Sequence, residues 1–241
     1  EILAGPGDWT IWRAPTDNDR VIVAEWRQAN YDHSQVRVHS LRAETINHQV
    51  CLHFEAVIAG VGRQPALSFQ GHWCLDQEGR LKLSLEGQRP NEMVELPRFG
   101  LVLSMVDADR VSYIGYGPYE NYVDKHHSSY WGYFEQSAQD LYEPYVTPQE
   151  NGAHQVTKLA VQQGSLELSV ASSDSLSFNL SPYSTRQLSQ ARHRDELVEE
   201  GVYYLHLDYR QAGIGSNSCG PRLLPEHRFD ESRSEEHTSE L

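Results

Sequence analysis

Apolar and polar residues alternate along most of this chain. From Ile46 through Val50, Leu52, Phe54, Ala56 and Ile58 the apolar positions keep one parity, while Asn47, Gln49 and Glu55 take the other. The pattern returns at Leu67, Phe69, Trp73 and Leu75, at Leu81, Leu83 and Leu85, and at Phe99, Leu101, Leu103 and Met105. Two further runs follow, Leu166, Leu168 and Val170, then Leu176, Phe178 and Leu180. A period of two buries one face of a strand and leaves the other wet, as on antiparallel sheets. Between Val202 and Tyr209 apolar residues occupy both parities, which predicts a strand covered on both faces.

Turn residues separate these runs at Gly60-Val61-Gly62, Gln77-Glu78-Gly79, Gln88-Arg89-Pro90-Asn91 and Gln163-Gly164. Many short strands at this spacing predict an all-β sandwich. Helix is scarce. Its best candidate begins at Ser184, where Ser184 and Gln187 have the spacing of a capping box, with Leu188, Ala191 and Leu197 facing inward and Gly201 as the latest end. No linker, repeat or low-complexity tract divides the chain, so a single domain is expected.

Composition changes the picture in three places. A net charge of -14 argues against nucleic acid and anionic membranes as partners, since both would repel the molecule. No apolar run approaches the roughly 20 residues of a membrane helix. Cys51, Cys74 and Cys219 are odd in number, form no CxxC pair and have no His or Cys at zinc-ligand spacing. They predict three free thiols in a reducing, cytoplasmic compartment. The last residues, 233–241, carry the in-frame translation of a sequencing adapter and are expected to be non-native and disordered. Without their one Arg and three Glu the net charge becomes -12. The chain is thus expected to be a fragment truncated at both ends, with a native domain over 1–232.

Three stretches break the alternation and gather aromatics, carboxylates and amides with Gly and Pro. The first is Trp12-Arg13-Ala14-Pro15-Thr16-Asp17-Asn18-Asp19-Arg20. The second runs from Gly115-Tyr116-Gly117-Pro118-Tyr119-Glu120-Asn121-Tyr122-Val123-Asp124 to Pro144-Tyr145-Val146-Thr147-Pro148-Gln149-Glu150-Asn151-Gly152. The third is Gly213-Ile214-Gly215-Ser216-Asn217-Ser218-Cys219-Gly220-Pro221. Such mixtures suit sugars, whose C–H face meets a ring and whose hydroxyls meet amides and carboxylates. The same residues also serve as turn caps and as filling between sheets.

In order and length these stretches resemble the motifs of the C-terminal, small-chain-like domain of the glycoside hydrolase family two β-galactosidases, from Trp12 to about Phe229. The resemblance implies a large antiparallel two-sheet super-sandwich of the galactose mutarotase type. It implies a part in retaining hydrolysis of terminal β-D-galactosides such as lactose, and a homo-oligomeric enzyme.

The two catalytic glutamates and the magnesium and sodium ligands of that family lie on a preceding TIM barrel. No cofactor and no catalytic residue is therefore expected in this chain, and the implied partner is a barrel domain or a large subunit. Asn91-Glu92 copies the Asn-Glu of the acid/base motif only superficially, because it falls in a turn between two strands. Two loops are implied to reach the substrate cleft: Asp17, Asn18, Asp19 and Arg20, and Asn217, Ser218 and Cys219. The family's Gly hinge after the first loop is replaced by Val21-Ile22-Val23, and Cys219 stands where some members carry a stacking Trp. His154 takes the place of a usual Arg and Leu159 that of a usual Trp. Two other readings remain open: a free-standing galactose-binding or mutarotase-like module, in which His126, His127, His154 or His193 would act beside Glu120 or Glu150, and a purely structural buttress.

Overall fold

In the computed structural model, residues 1–215, 220–229 and 235–240 are described, the last six by backbone alone. Two antiparallel layers meet at one long strand. The first layer runs β8 (Tyr130–Ser137), β7 (Arg110–Gly117), β9 (His154–Gln163), β10 (Leu166–Ser181), β11 (Tyr203–Gln211), β6 (Arg98–Met105) and β1 (Asp8–Thr10). The second runs β2 (Ser34–Ile46), β3 (Gln49–Gly60), β4 (Pro65–Leu75), β5 (Leu81–Gln88) and β12 (Glu235–Glu240). β10 carries an irregularity between Ala171 and Leu176, and there its free edge passes from β12 to β11. The two apolar runs read at Leu166 and Leu176 are therefore halves of one strand.

The alternation places the core. Phe54, Ala56, Ile58, Leu67, Phe69, Leu83 and Leu85 meet Ile11, Trp12, Trp26 and Phe99 in one cluster. Leu101, Leu103, Met105, Val111, Tyr113, Val156, Phe178, Leu205 and Leu207 form the other. Trp9 and Trp73 pack against both clusters, so the two cores are continuous. Trp9 lies 5.5 Å from Phe99 and 5.4 Å from Phe69, centroid to centroid. β11 is buried on both faces, with Leu205, His206, Leu207 and Asp208 all covered, as its mixed parity predicts.

The structure corrects several expectations. The run from Ile46 to Ile58 is not one strand: Asn47 and His48 take left-handed φ of 48° and 65°, making a tight turn between β2 and β3. Asn at the first turn position fits the two-residue hairpins that demand positive φ. β2 and β8 escape the periodicity because much of each is exposed. Ser184 does cap a helix, accepting a hydrogen bond from Gln187 N, but that helix, α2 (Thr185–Gln190), ends well before Gly201. A second helix, α1 (Ile22–Gln28), follows the first polar stretch and buries Ile22 and Trp26.

Cys51 and Cys74 are not free thiols. They stand opposite each other on β3 and β4 and form a disulfide. Residues 235–240 are not disordered either, but pair with β5 and, at two positions, with β10. A ladder is made by main-chain groups, so the slot between two strand edges accepts an extended segment with little regard to its side chains. Among the described residues no helix is long and apolar enough to cross a membrane.

Candidate functional site

The polar stretches, remote in sequence, converge on the loop that follows β11. Arg13 is fully buried and grips Asp19 with two nitrogens, at 2.7 and 3.2 Å. Its other donors reach the carbonyls of Ala212, at 2.6 Å, and Gly213, at 3.1 Å. The side-chain amide of Asn18 donates to Ile214 O at 2.7 Å. From the second stretch, Asp124 accepts from Ile214 N at 3.0 Å and Gly215 N at 2.6 Å. Gly213 is required at this contact, since a Cβ there would lie 2.5 Å from the Asp124 carboxyl carbon. The loop of residues 212–215 is thus held from both sides by groups far away in sequence.

Beneath this convergence lies a second buried cation. Arg98 donates to both oxygens of Asp208, at 2.6 to 3.1 Å, and to both of Glu150, at 3.1 and 3.3 Å. Gln211 completes Glu150 at 3.0 Å. Burial pushes the Asp208 carboxyl up to about 6, against the pull of the adjacent Arg98 charge. Burial also holds the Tyr122 phenol protonated, with Glu150 and Glu120 adding to the effect. His206 falls well below the usual imidazole value, first through burial and then through repulsion from Arg98.

Glu120 organises the rest of the second stretch. It meets Lys125 at 2.5 Å, accepts from the Tyr145 hydroxyl, and takes Gly152 N at 2.7 Å. Burial alone would lower the Lys125 pKa, but the hydrogen bond and charge of Glu120 outweigh it, and the net direction is upward. Asn121 ties Tyr116 O, Tyr119 O and Gln155 N together.

This bed positions groups; it offers little to a substrate directly. The side chains of Glu150 and Asp208 are 4 % and 0 % exposed, and both meet the one guanidinium of Arg98. A retaining glycosidase needs two carboxyl groups about 5 Å apart with the sugar between them, and these two enclose a guanidinium instead. Glu92 is exposed in a turn, as its surroundings in sequence predict.

Of the residues expected at the cleft, Asp17 and Arg20 are exposed on a short 3₁₀ turn, Asn18 is half-buried and committed to Ile214, and Asp19 is buried against Arg13. Asn217, Ser218 and Cys219 lie outside the described residues. His154 is buried against Gly152 O and Pro118 O, with its pKa lowered by burial. His193 is exposed beside Glu196. Sequence reasoning missed Arg98 and Asp208. The only sign of them was the mixed parity of β11, which required a covering for the polar face too.

A family model described as beta galactosidase small chain matches residues 1–240. A β-galactosidase of Actinobacillus pleuropneumoniae is 38 % identical over 232 residues, 96 % of this chain and 23 % of the relative. One of Staphylococcus xylosus is 36 % identical over 222 residues, 91 % of this chain and 22 % of the relative. The chain therefore spans less than a quarter of the length of these curated relatives. Among solved structures, a GalM/aldose epimerase homologue from C. elegans is similar with a TM-score of 0.42 and 8 % identity, covering 83 % of this chain and 67 % of the other.

Proposed function

The chain belongs to the β-galactosidase small-chain family, and from that premise we propose that it is the C-terminal sandwich of a larger β-galactosidase. In this reading the sandwich completes the substrate cleft while the catalytic glutamates and the metals sit on a partner barrel, either fused to it or carried by a large subunit. The assembly is a cytoplasmic homo-oligomer acting on terminal β-D-galactosides such as lactose, and the isolated chain does not hydrolyse them. The loops that reach the cleft are those at Asp17–Arg20 and at 217–219.

One observation carries the proposal. The loop 212–215, which leads directly into 217–219, is gripped by Arg13, Asn18 and Asp124. The Asp17–Arg20 turn and residues 212–215 are therefore tied to one another, the arrangement that keeps a binding surface in register. A free-standing galactose-binding or mutarotase-like module is not favoured, because the matching relatives are β-galactosidases of which this chain makes up under a quarter.

A chimera tests the reading. The C-terminal segment of the Actinobacillus pleuropneumoniae enzyme that aligns with this chain is replaced by residues 1–232. The expected result is a folded enzyme that turns over a chromogenic β-galactoside, beside an isolated chain that does not. An assembled but inactive chimera, or turnover by the isolated chain that survives loss of both Glu92 and Glu150, overturns it.

A further inference from the structure

The outer face of the β2–β5 layer holds four residues that the sequence kept apart. In the register of β3 and β4, Cys51 stands opposite Cys74 and His53 stands opposite His72. Residues two apart on a strand share a face, so two sulfurs and two imidazoles form adjacent rows on the same side of the same two strands. Paired Cβ atoms lie about 4.5–5.5 Å apart and the rows about 7 Å apart. The two imidazole rings are 5.3 Å apart, centroid to centroid. A groove of about 640 Å³, lined by Arg42, His53, His72, Ser84 and Glu86 among others, opens beside the two imidazoles, while Cys51 is buried next to it.

We propose that Cys51, His53, His72 and Cys74 form a zinc site that exists only when the Cys51–Cys74 disulfide is reduced. As the chain stands oxidised, no group of three or more His, Cys, Asp or Glu side chains among the described residues could hold a metal ion. The ligand that binds zinc is the thiolate, and a disulfide has none. A dithiol reductant changes this by thiol–disulfide exchange. Two electrons and two protons pass to Cys51 and Cys74, the S–S bond breaks, and the reductant leaves as its own disulfide. Zinc then displaces the two thiol protons and is held by two thiolates and two neutral imidazoles, a neutral tetrahedral set at about 2.3 Å from sulfur and 2.0–2.1 Å from nitrogen.

The neighbours suit the role. Glu44, opposite Cys51 on β2, places a carboxylate oxygen 2.6 Å from His53 Nε2. A carboxylate on the far ring nitrogen is how metal-bound imidazoles are commonly oriented, leaving Nδ1 for the ion. Sulfur with imidazole in a four-ligand set favours zinc over the oxygen-loving magnesium and calcium. The zinc would also resolve a tension in the fold: a reducing cytoplasm opens the disulfide, and the metal would then cross-link the same two strands in its place.

The test uses cobalt(II) as the probe, in a Cys219→Ser background so that only two thiols remain. In the phosphine-reduced protein, one equivalent of cobalt is expected to give sulfur-to-metal charge-transfer and tetrahedral visible bands, which added zinc abolishes. The oxidised protein is expected to give neither. His72→Gln should remove the tetrahedral signal, and Glu44→Gln should weaken binding by about tenfold or more. A reduced, folded protein with two titratable thiols and no charge-transfer band overturns the assignment, as do bands that persist in Cys51→Ser/Cys74→Ser. Should reduction loosen the layer, zinc is expected to raise the melting temperature of the reduced protein and not that of the oxidised one. Equal shifts, or none, overturn the proposal as well.

Discussion

In the β2–β5 layer each strand pairs with its neighbour in sequence, and 23 residues separate Cys51 from Cys74. Around Arg13 and Arg98 the partners are remote: Glu150 is 52 residues from Arg98, Asp208 is 110, and Gly213 is 200 from Arg13. The first region is assembled from hairpins and from apolar packing rich in aromatic rings. The second is assembled from buried charge, with Arg13 and Arg98 both 0 % exposed. Hydrophobic packing is tolerant of similar shapes. A buried guanidinium with two carboxylates demands each of its partners in place, because any one left alone is an uncompensated charge. The demand for exact placement is therefore concentrated in the end of the molecule that carries the polar loops.

The largest loss of stability is expected from Arg98→Met. It leaves Asp208 and Glu150 buried without their cation, and a loss of about 3–5 kcal/mol is expected. For a chain of this size that lowers the melting temperature by roughly 10 °C or more. A loss under about 1 kcal/mol in a denaturant titration would show that the carboxylates find water, and the contrast between the two regions would fall.

Asp124→Ala probes the loop mount alone. Two backbone donors, Ile214 N and Gly215 N, lose their acceptor, and the expected cost is about 1–3 kcal/mol. In the active chimera the same substitution should lower kcat/KM by a larger factor than any equally destabilising change in the β2–β5 layer. Equal effects from both regions would mean that the loop does not serve the cleft.

Acid also acts on the region of buried charge. His206 is neutral in the folded protein because burial holds its pKa well below the ordinary imidazole value of 6.5, whereas the unfolded chain takes up a proton near that value. The unfolded state therefore binds more protons below pH 6.5, and stability falls as the pH drops from there toward the folded value. The slope is about 1.4 kcal/mol per pH unit. His154, also lowered by burial, acts in the same direction. Asp208, raised to about 6, takes up a proton in the folded state below that pH and opposes the fall there. The test is therefore the comparison of melting curves between pH 7.5 and 5.5 with those of His206→Gln, whose fall should be smaller. A slope unaltered in that variant would assign the acid sensitivity elsewhere.

The smallest effect is expected from removing residues 233–241. The backbone of residues 235–240 fills the slot between β5 and β10, so deletion frees two strand edges and should lower the melting temperature by about 2–4 °C, near 1 kcal/mol. An unchanged melting curve would show that the slot stands open in solution.

Much of the fold was legible because its cause is local. Period-two alternation names the buried face wherever one face is wet, and Ser184 announces its helix by a spacing of three. Legibility failed where both faces share one environment, as on exposed β2, and where a turn continues the alternation, as at Asn47-His48. The three polar stretches were visible as motifs, yet nothing in their order says that Arg13 and Asn18 would grasp the loop after β11. Nor could spacing along the chain reveal that Cys51, His53, His72 and Cys74 share a face. That depends on the register of two strands, which the buried partners on the opposite face fix. The period of the apolar residues is enough to give the class of fold and the existence of a core. Tertiary structure alone decided which charges meet, because a buried ion pair is specified by distance and not by separation along the chain.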